Sequence, residues 1–221
     1  DQEILERFSE EPNQDAPDES PGAEYLANLK NEIANTDLAQ AAERTGGVFS
    51  GDRLVLKVLG KDFGVDTDGN LYSDIHVNPW IAAPFLNYVL YAKGAVPQGN
   101  WVSFRELREG RERYPLFRKR GEEAMKQVAD VYHELFDDMV HIFSGKQVEK
   151  QFQSDISVVL HPLPKFPMMI CYWRPEEGIA SSLNVFFDET ASENLDIGSV
   201  VSLGTGLAQM FGKVAQRHGI S

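Results

Sequence analysis

ISVVLHPLPKFPMMICYW, residues 156–173, decides the fold class. Two strand-length apolar runs, ISVVLHPLP (156–164) and FPMMICYW (166–173), flank Lys165. A link this short excludes the helical crossover that parallel neighbours require, so the two runs pair as an antiparallel hairpin. SLNVFFD (182–188) follows as a third strand. Upstream, RLVLKVLG alternates Leu54, Leu56 and Val58 with Arg53, Val55 and Lys57, the period-2 signature of a strand. KDFGVDTDGNLYSDI continues it as a second hairpin, with Asp68-Gly69 supplying the positive-φ turn. A calcium loop is excluded there. With Gly69 at the sharp turn, the first and twelfth ligand positions fall on Gly64 and Ile75, which carry no carboxylate.

Helical spacing fills the gaps between the hairpins. Tyr25, Leu26, Leu29 and Ile33 form one helix, and Asn35-Thr36-Asp37 interrupts it and caps LAQAAERT, which Gly46-Gly47 ends. Asn78-Pro79 opens a helix through Trp80, Phe85 and Val89 that closes by Gly94. A long amphipathic helix is expected over 115–144, with Ala124, Val128, Val131, Leu135, Met139 and Ile142 as its buried stripe. The last helix covers 195–217 through Val200, Leu203, Leu207, Met210 and Val214. Hairpin-joined strands interrupted by helices define an α+β protein: a mostly antiparallel mixed sheet with flanking helices in one compact domain, residues 23–221.

Charge divides the chain unevenly. The net charge is −13, and residues 1–22 hold eight acids against Arg7. This proline-bearing leader reads as flexible, and ILERF (4–8) as either a frayed terminus or a docking element for a protein partner. A sequence pI of about 4.8 argues against nucleic acid as a partner. No apolar run approaches the roughly 18 residues of a membrane span, and no signal-peptide core is visible. A single cysteine rules out an internal disulfide and makes the cytoplasm the expected compartment.

Several constellations have ordinary structural readings. His133, Asp137 and His141 recur at metal-ligand spacing but face away from the apolar stripe, as a solvated surface does. Cys171 lies mid-strand without a neighbour that would depress its pKa, so it reads as buried and structural. His76 and His161 stand at element edges, structural by default and axial ligands of a metal tetrapyrrole otherwise. GTGLAQ (204–209) lacks both the third glycine and the preceding strand of a dinucleotide fingerprint, so its small residues are expected to permit close helix packing. Asp188, at the end of an aromatic strand, either caps the next turn or meets a ligand.

The charge distribution has one local reversal. Residues 105–120 hold seven bases, Arg105, Arg108, Arg111, Arg113, Arg118, Lys119 and Arg120, against three acids, in a chain with 21 bases altogether. Guanidinium forks there can grip carboxylate or phosphate in a bidentate manner, or can pair with the protein's own surplus acids. The expected ligand-binding set is Trp101, Ser103, Arg105, Arg118 and Asp188.

The pattern GNWVSFREL (99–107), followed by Tyr114 and Phe117, and the pattern LPKFPMMICYW with Pro175-Glu176-Glu177 and LNVFFD, resemble the two signatures of the family catalogued as domain of unknown function 3786. The resemblance spans about residues 37–212. It implies a setting among anaerobic bacteria and archaea, where some relatives carry an added iron–sulfur module of corrinoid one-carbon metabolism. It supplies no catalytic residues. Three functions are therefore expected. The first is a non-catalytic ligand-binding or accessory protein in corrinoid- or iron–sulfur-linked cofactor metabolism, with a tetrapyrrole or corrinoid as the implied cofactor. The second is an enzyme acting on a small anionic substrate, with Ser103, Arg105, Arg118 and Asp188 around one pocket. The third is a subunit that docks to a larger complex.

Overall fold

Apolar alternation produces two antiparallel sheets, and two largely apolar helices pack against them. The computed structural model describes residues 21–74 and 78–220. The leader as far as Ser20, its ILERF segment and His76 lie outside these residues. Helices α1 (Ala23–Ile33) and α2 (Leu38–Thr45) precede the first sheet, a meander of β1 (Val48–Ser50), β2 (Arg53–Val58), β3 (Lys61–Asp66) and β4 (Leu71–Ser73) in chain order. Leu54, Leu56 and Val58 are buried, as their spacing predicts. At the β3–β4 turn the Asp66 carboxylate accepts from the amides of Asp68 and Asn70 and from the Tyr72 hydroxyl. Gly69 takes a φ of +83° there, so the hairpin reading of DTDG holds.

After α3 (Pro79–Tyr91), the second sheet begins with β5 (Trp101–Ser103) and is completed far downstream by β6 (Lys146–Gln147), β7 (Ile156–Leu163), β8 (Phe166–Trp173) and β9 (Ser182–Asp188). Its order is β5-β9-β8-β7-β6, and every pairing is antiparallel. The α+β class is thus as read, with the strands divided between two sheets. A register shift between Leu160 and Leu163 interrupts the β7–β8 ladder around Pro162, which has no amide hydrogen to offer it. The His161 carbonyl in this bulge accepts instead from the Leu59 amide at 3.1 Å, and so ties the second sheet to the first.

The last helices are α7 (Ala191–Asn194) and α8 (Ile197–Arg217), the latter capped by the Asp196 carboxylate on the Ser199 amide. Val200, Leu203, Leu207, Met210 and Val214 are all buried. Pro84 inside α3 cannot bond the Trp80 carbonyl one turn back. The Ser202 hydroxyl of α8 donates to that carbonyl at 3.0 Å, so the proline defect becomes a link between helices.

The single helix expected over 115–144 is four pieces. These are α4 (Gly110–Phe117), a wide π-type turn over Arg118–Glu122, α5 (Glu123–Val131) and α6 (Leu135–His141). Tyr132 takes an extended conformation between α5 and α6, where its ring is buried, stacks on His218 and donates to Asp138. This break uncouples α5 from α6. Met125 and Ala129 are therefore buried while Val131 is exposed, although Leu135 and Met139 point inward as expected. His133 falls in the break and Asp137 and His141 in α6, so they do not share a helix; all three are exposed. Among the described residues no cluster of three or more His, Cys, Asp or Glu side chains is placed to hold a metal, and no helix is long and apolar enough to cross a membrane.

Candidate functional site

The basic connector leaves the second sheet at β5 and folds back on itself within one tight turn. Phe104–Glu106 forms a single 3₁₀ turn, and the Glu106 carboxylate accepts from the Ser103 amide at 2.7 Å. Hydrogen bonds from the Ser103 amide and hydroxyl hold the Glu106 carboxyl below its ordinary range. The chain then reverses through Glu109, in the left-handed region at φ 62°, into Gly110. A Cβ on Gly110 would lie 2.0 Å from the Phe104 carbonyl oxygen, so only glycine lets α4 start this close to the turn.

That reversal brings aromatic rings together beneath the arginines. Phe104 stacks on Phe117 with centroids 4.2 Å apart, and Phe187 of β9 meets both rings edge-on. Tyr114 lies beside Phe104 at 6.2 Å. The Arg105 guanidinium sits over the Tyr114 ring at 4.1 Å, a cation–π contact that fixes its fork. Below the ring, the Tyr114 hydroxyl donates to Glu122 at 2.9 Å. Glu122 is only 4% exposed and also accepts from the Val185 amide of β9 at 3.0 Å. Burial pushes its carboxyl above the usual range, and the Val185, Tyr114 and Asn184 hydrogen bonds together with the Arg105 charge bring it only part of the way back. Burial and then the Glu122 charge push the Tyr114 hydroxyl up in turn.

The wide turn at Arg118–Glu122 sets which side chains reach the surface. An extra residue in a helical turn re-aims its neighbours, a device common at functional sites. Here it buries Glu122 and directs Arg118 and Lys119 outward. The result is an open cleft of ≈ 900 Å³ lined by Arg105, Arg111, Arg118 and Lys119 together with Tyr114, Pro115, Glu123 and Gln127. Arg118 contacts Glu123 at 3.3 Å. Arg111 and Lys119 make no ion pair with another described residue. Four cations against one carboxylate form a local positive field in a chain of net charge −13.

The structure separates the expected site residues. Arg105 and Arg118 share the cleft; Trp101, Ser103 and Asp188 are not in its lining. Trp101 stands at the start of β5 opposite Asp188, and Ser103 is engaged with Glu106. Asp188 is 1% exposed and accepts from the amides of Gln98, Gly99 and Thr190 and from the Thr190 hydroxyl, so its oxygens are saturated. It caps the turn; the pocket imagined around Ser103, Arg105, Arg118 and Asp188 does not form. Arg108, just before α4, turns toward α7 and pairs with its Glu193 at 2.9 Å. The set thereby loses three members and gains Arg111, Tyr114 and Lys119 at the surface, with Glu122 beneath. One cue to Glu122 exists in the sequence: Gly121, a weak helix former, interrupts the helical pattern just before it.

The lining contains no His, Cys or Met, and its one tyrosine, Tyr114, donates its hydroxyl to Glu122, so the cleft does not fit a metal tetrapyrrole bound through its metal. Cys171 is fully buried beside the Ser157 hydroxyl, and burial pushes its thiol up, the inert state its position predicts. His161 lies at the seam of the two sheets. GTGLAQ lies inside α8 and acts in packing, since Gly204 faces Phe117 and Gly206 faces Trp80 and Ile81.

Fold and site together define an α+β protein with a basic cleft that Tyr114 lines, next to a buried Phe104–Phe117 stack. The chain belongs to the family described as domain of unknown function (DUF3786), whose pattern matches residues 37–210. The match takes in the first sheet, the cleft and most of α8. No curated protein and no solved structure matches the chain.

Proposed function

We propose that this protein is a non-catalytic binding or accessory protein that holds a small, multiply charged anion in the Arg105 cleft. The observation that carries the reading is the gathering of Arg105, Arg111, Arg118 and Lys119 around one cleft that Tyr114 also lines, with Arg111 and Lys119 lacking ion-pair partners among the described residues. Guanidinium forks match carboxylate and phosphoryl oxygens, and Arg105 is oriented before any ligand arrives. Charge is what the cleft supplies. Its hydroxyl, on Tyr114, is committed to Glu122, and its carboxylate, Glu123, to Arg118, which leaves neither free as nucleophile or base. The family resemblance adds the setting of corrinoid- or iron–sulfur-linked anaerobic metabolism, and in that setting the ligand is an anionic arm of a cofactor or of its precursor.

The test is isothermal titration of the full chain with sodium sulfate and with pyrophosphate at low ionic strength. Saturable binding is expected, tighter for pyrophosphate. The double variant Arg105→Ala/Arg118→Ala should lose at least about tenfold in affinity, since each charge-assisted hydrogen bond contributes about 1.5–3 kcal/mol. Absence of heat with both anions, or equal affinity in the double variant, overturns the reading.

A further inference from the structure

We infer that the cleft takes up its anion together with a proton, and that Glu122 is the group that receives it. The inference rests on the anion-binding reading and adds its regulation: occupancy rises as pH falls. Glu122 is the buried carboxylate at the end of this hydrogen-bonded chain, joined to the cleft by the Tyr114 hydroxyl at 2.9 Å and by the Tyr114 ring on which Arg105 lies. While ionised, it draws on the same Arg105 charge that an anion would use. An anion on the cations adds negative charge above Glu122, which favours the neutral acid below. By linkage, the neutral acid then favours the anion by the same factor.

Among the described residues, the groups facing Glu122 allow this. Tyr114 of α4 and the Val185 amide of β9 each donate to it, and Asn184 approaches at 3.5 Å. Arg105, from the 3₁₀ turn, acts on it through its charge. Arg118, Lys119 and Arg120 belong to its own turn, and Glu123 and Lys126 begin α5. From α8, which packs on this turn through Gly204 and Phe117, the stretch from Ile197 to Gly212 contributes no charged residue. The proton comes from solvent, and no covalent bond changes. Glu122 is a positioning residue in this account, acting through Tyr114 and Arg105 without touching the anion.

Sulfate is the suitable probe, because it keeps its charge over the range examined. Two measurements on the full chain test the idea between pH 5 and pH 8. The first is sulfate affinity in the wild type and in Glu122→Gln. The second, on the wild type alone, is the pH titration of the Val185 amide resonance with and without sulfate, which reads the Glu122 carboxyl directly. Wild-type affinity should fall with rising pH by about tenfold over the range, and by no more than tenfold per pH unit for one proton. Glu122→Gln should flatten that profile, and sulfate should move the Val185 midpoint upward. Sulfate binding with the same pH profile in both proteins, or an unmoved Val185 midpoint, overturns the proton coupling while leaving the anion site standing. Absence of sulfate binding at every pH overturns both.

Discussion

Asp188 and Glu122 are both buried carboxylates, 1% and 4% exposed, yet their surroundings move them in opposite directions. For Asp188 burial raises the pKa, but hydrogen bonds from the Thr190 side chain and amide and from the Gln98 and Gly99 amides more than offset it, so the net shift is downward. Its contribution is therefore fully present above the ordinary aspartate range and is lost as pH falls through the lowered folded value. Asp188→Asn should destabilise the protein by about 2–3 kcal/mol at pH 7, because an amide nitrogen replaces one of two oxygens that each face two backbone amides. The penalty should shrink at pH 3, as the wild-type carboxyl begins to protonate as well; urea unfolding at the two pH values measures both. Glu122 has the reverse sign. Its raised folded pKa means that stability is lost as pH climbs from the usual glutamate value through the folded one. The capping role of Asp188 was one of two readings open at a strand end, and the other, ligand contact, placed it in the expected site. Glu122 was not legible, because an acid doublet in a helical stretch reads as a solvated face until the turn geometry is known.

At the scale of elements, small residues decide how closely α8 approaches the Phe104–Phe117 stack. A Cβ on Gly204 would come within 2.6 Å of Cε2 of Phe117, the ring stacked on Phe104. Gly204→Ala gains about 1 kcal/mol of helix propensity, whereas overpacking of a tight interface costs about 1–3 kcal/mol. Because Phe117 is fully buried and stacked, it has little room to move and the cost should prevail. The expected outcome is a lower Tm and weaker sulfate binding, read by calorimetry on one sample. A milder effect is expected from Ser202→Ala, which leaves the Trp80 carbonyl without its donor beside Pro84 and should cost about 1 kcal/mol. The packing role of GTGLAQ followed from its place in a helical pattern. The four-part course of residues 110–141 did not, because its two interruptions have tertiary causes. Tyr132 leaves the helix for a ring stack with His218, more than eighty residues away, and Glu122 is held by the Val185 amide on β9. Local periodicity carries no record of either partner.

Across the whole molecule, period-2 runs with short links made the α+β class readable, but they could not assign the hairpins to sheets. That assignment depends on the bulge at Pro162, which frees the His161 carbonyl for the Leu59 amide, and on α3 and α8, which share one apolar interior with both sheets. Leu54 and Phe63 from the first sheet and Ile170 and Phe187 from the second belong to a single cluster of buried residues. A chain of this size can melt in stages when its sheets have separate cores, since all-or-none unfolding is the norm below about 150 residues. A shared interior removes that option, because exposing either sheet opens the same cluster of buried residues. Unfolding should therefore be one cooperative transition. Tryptophan emission is a suitable local probe, with Trp80 on α3 and Trp101 and Trp173 on the second sheet, to be set against far-ultraviolet circular dichroism. Coincident midpoints in urea, and agreement of calorimetric with van't Hoff enthalpy, are the expected results. A dichroism transition that precedes the emission change would mean that the first sheet melts alone, and that the Leu59–His161 seam does not couple the two layers.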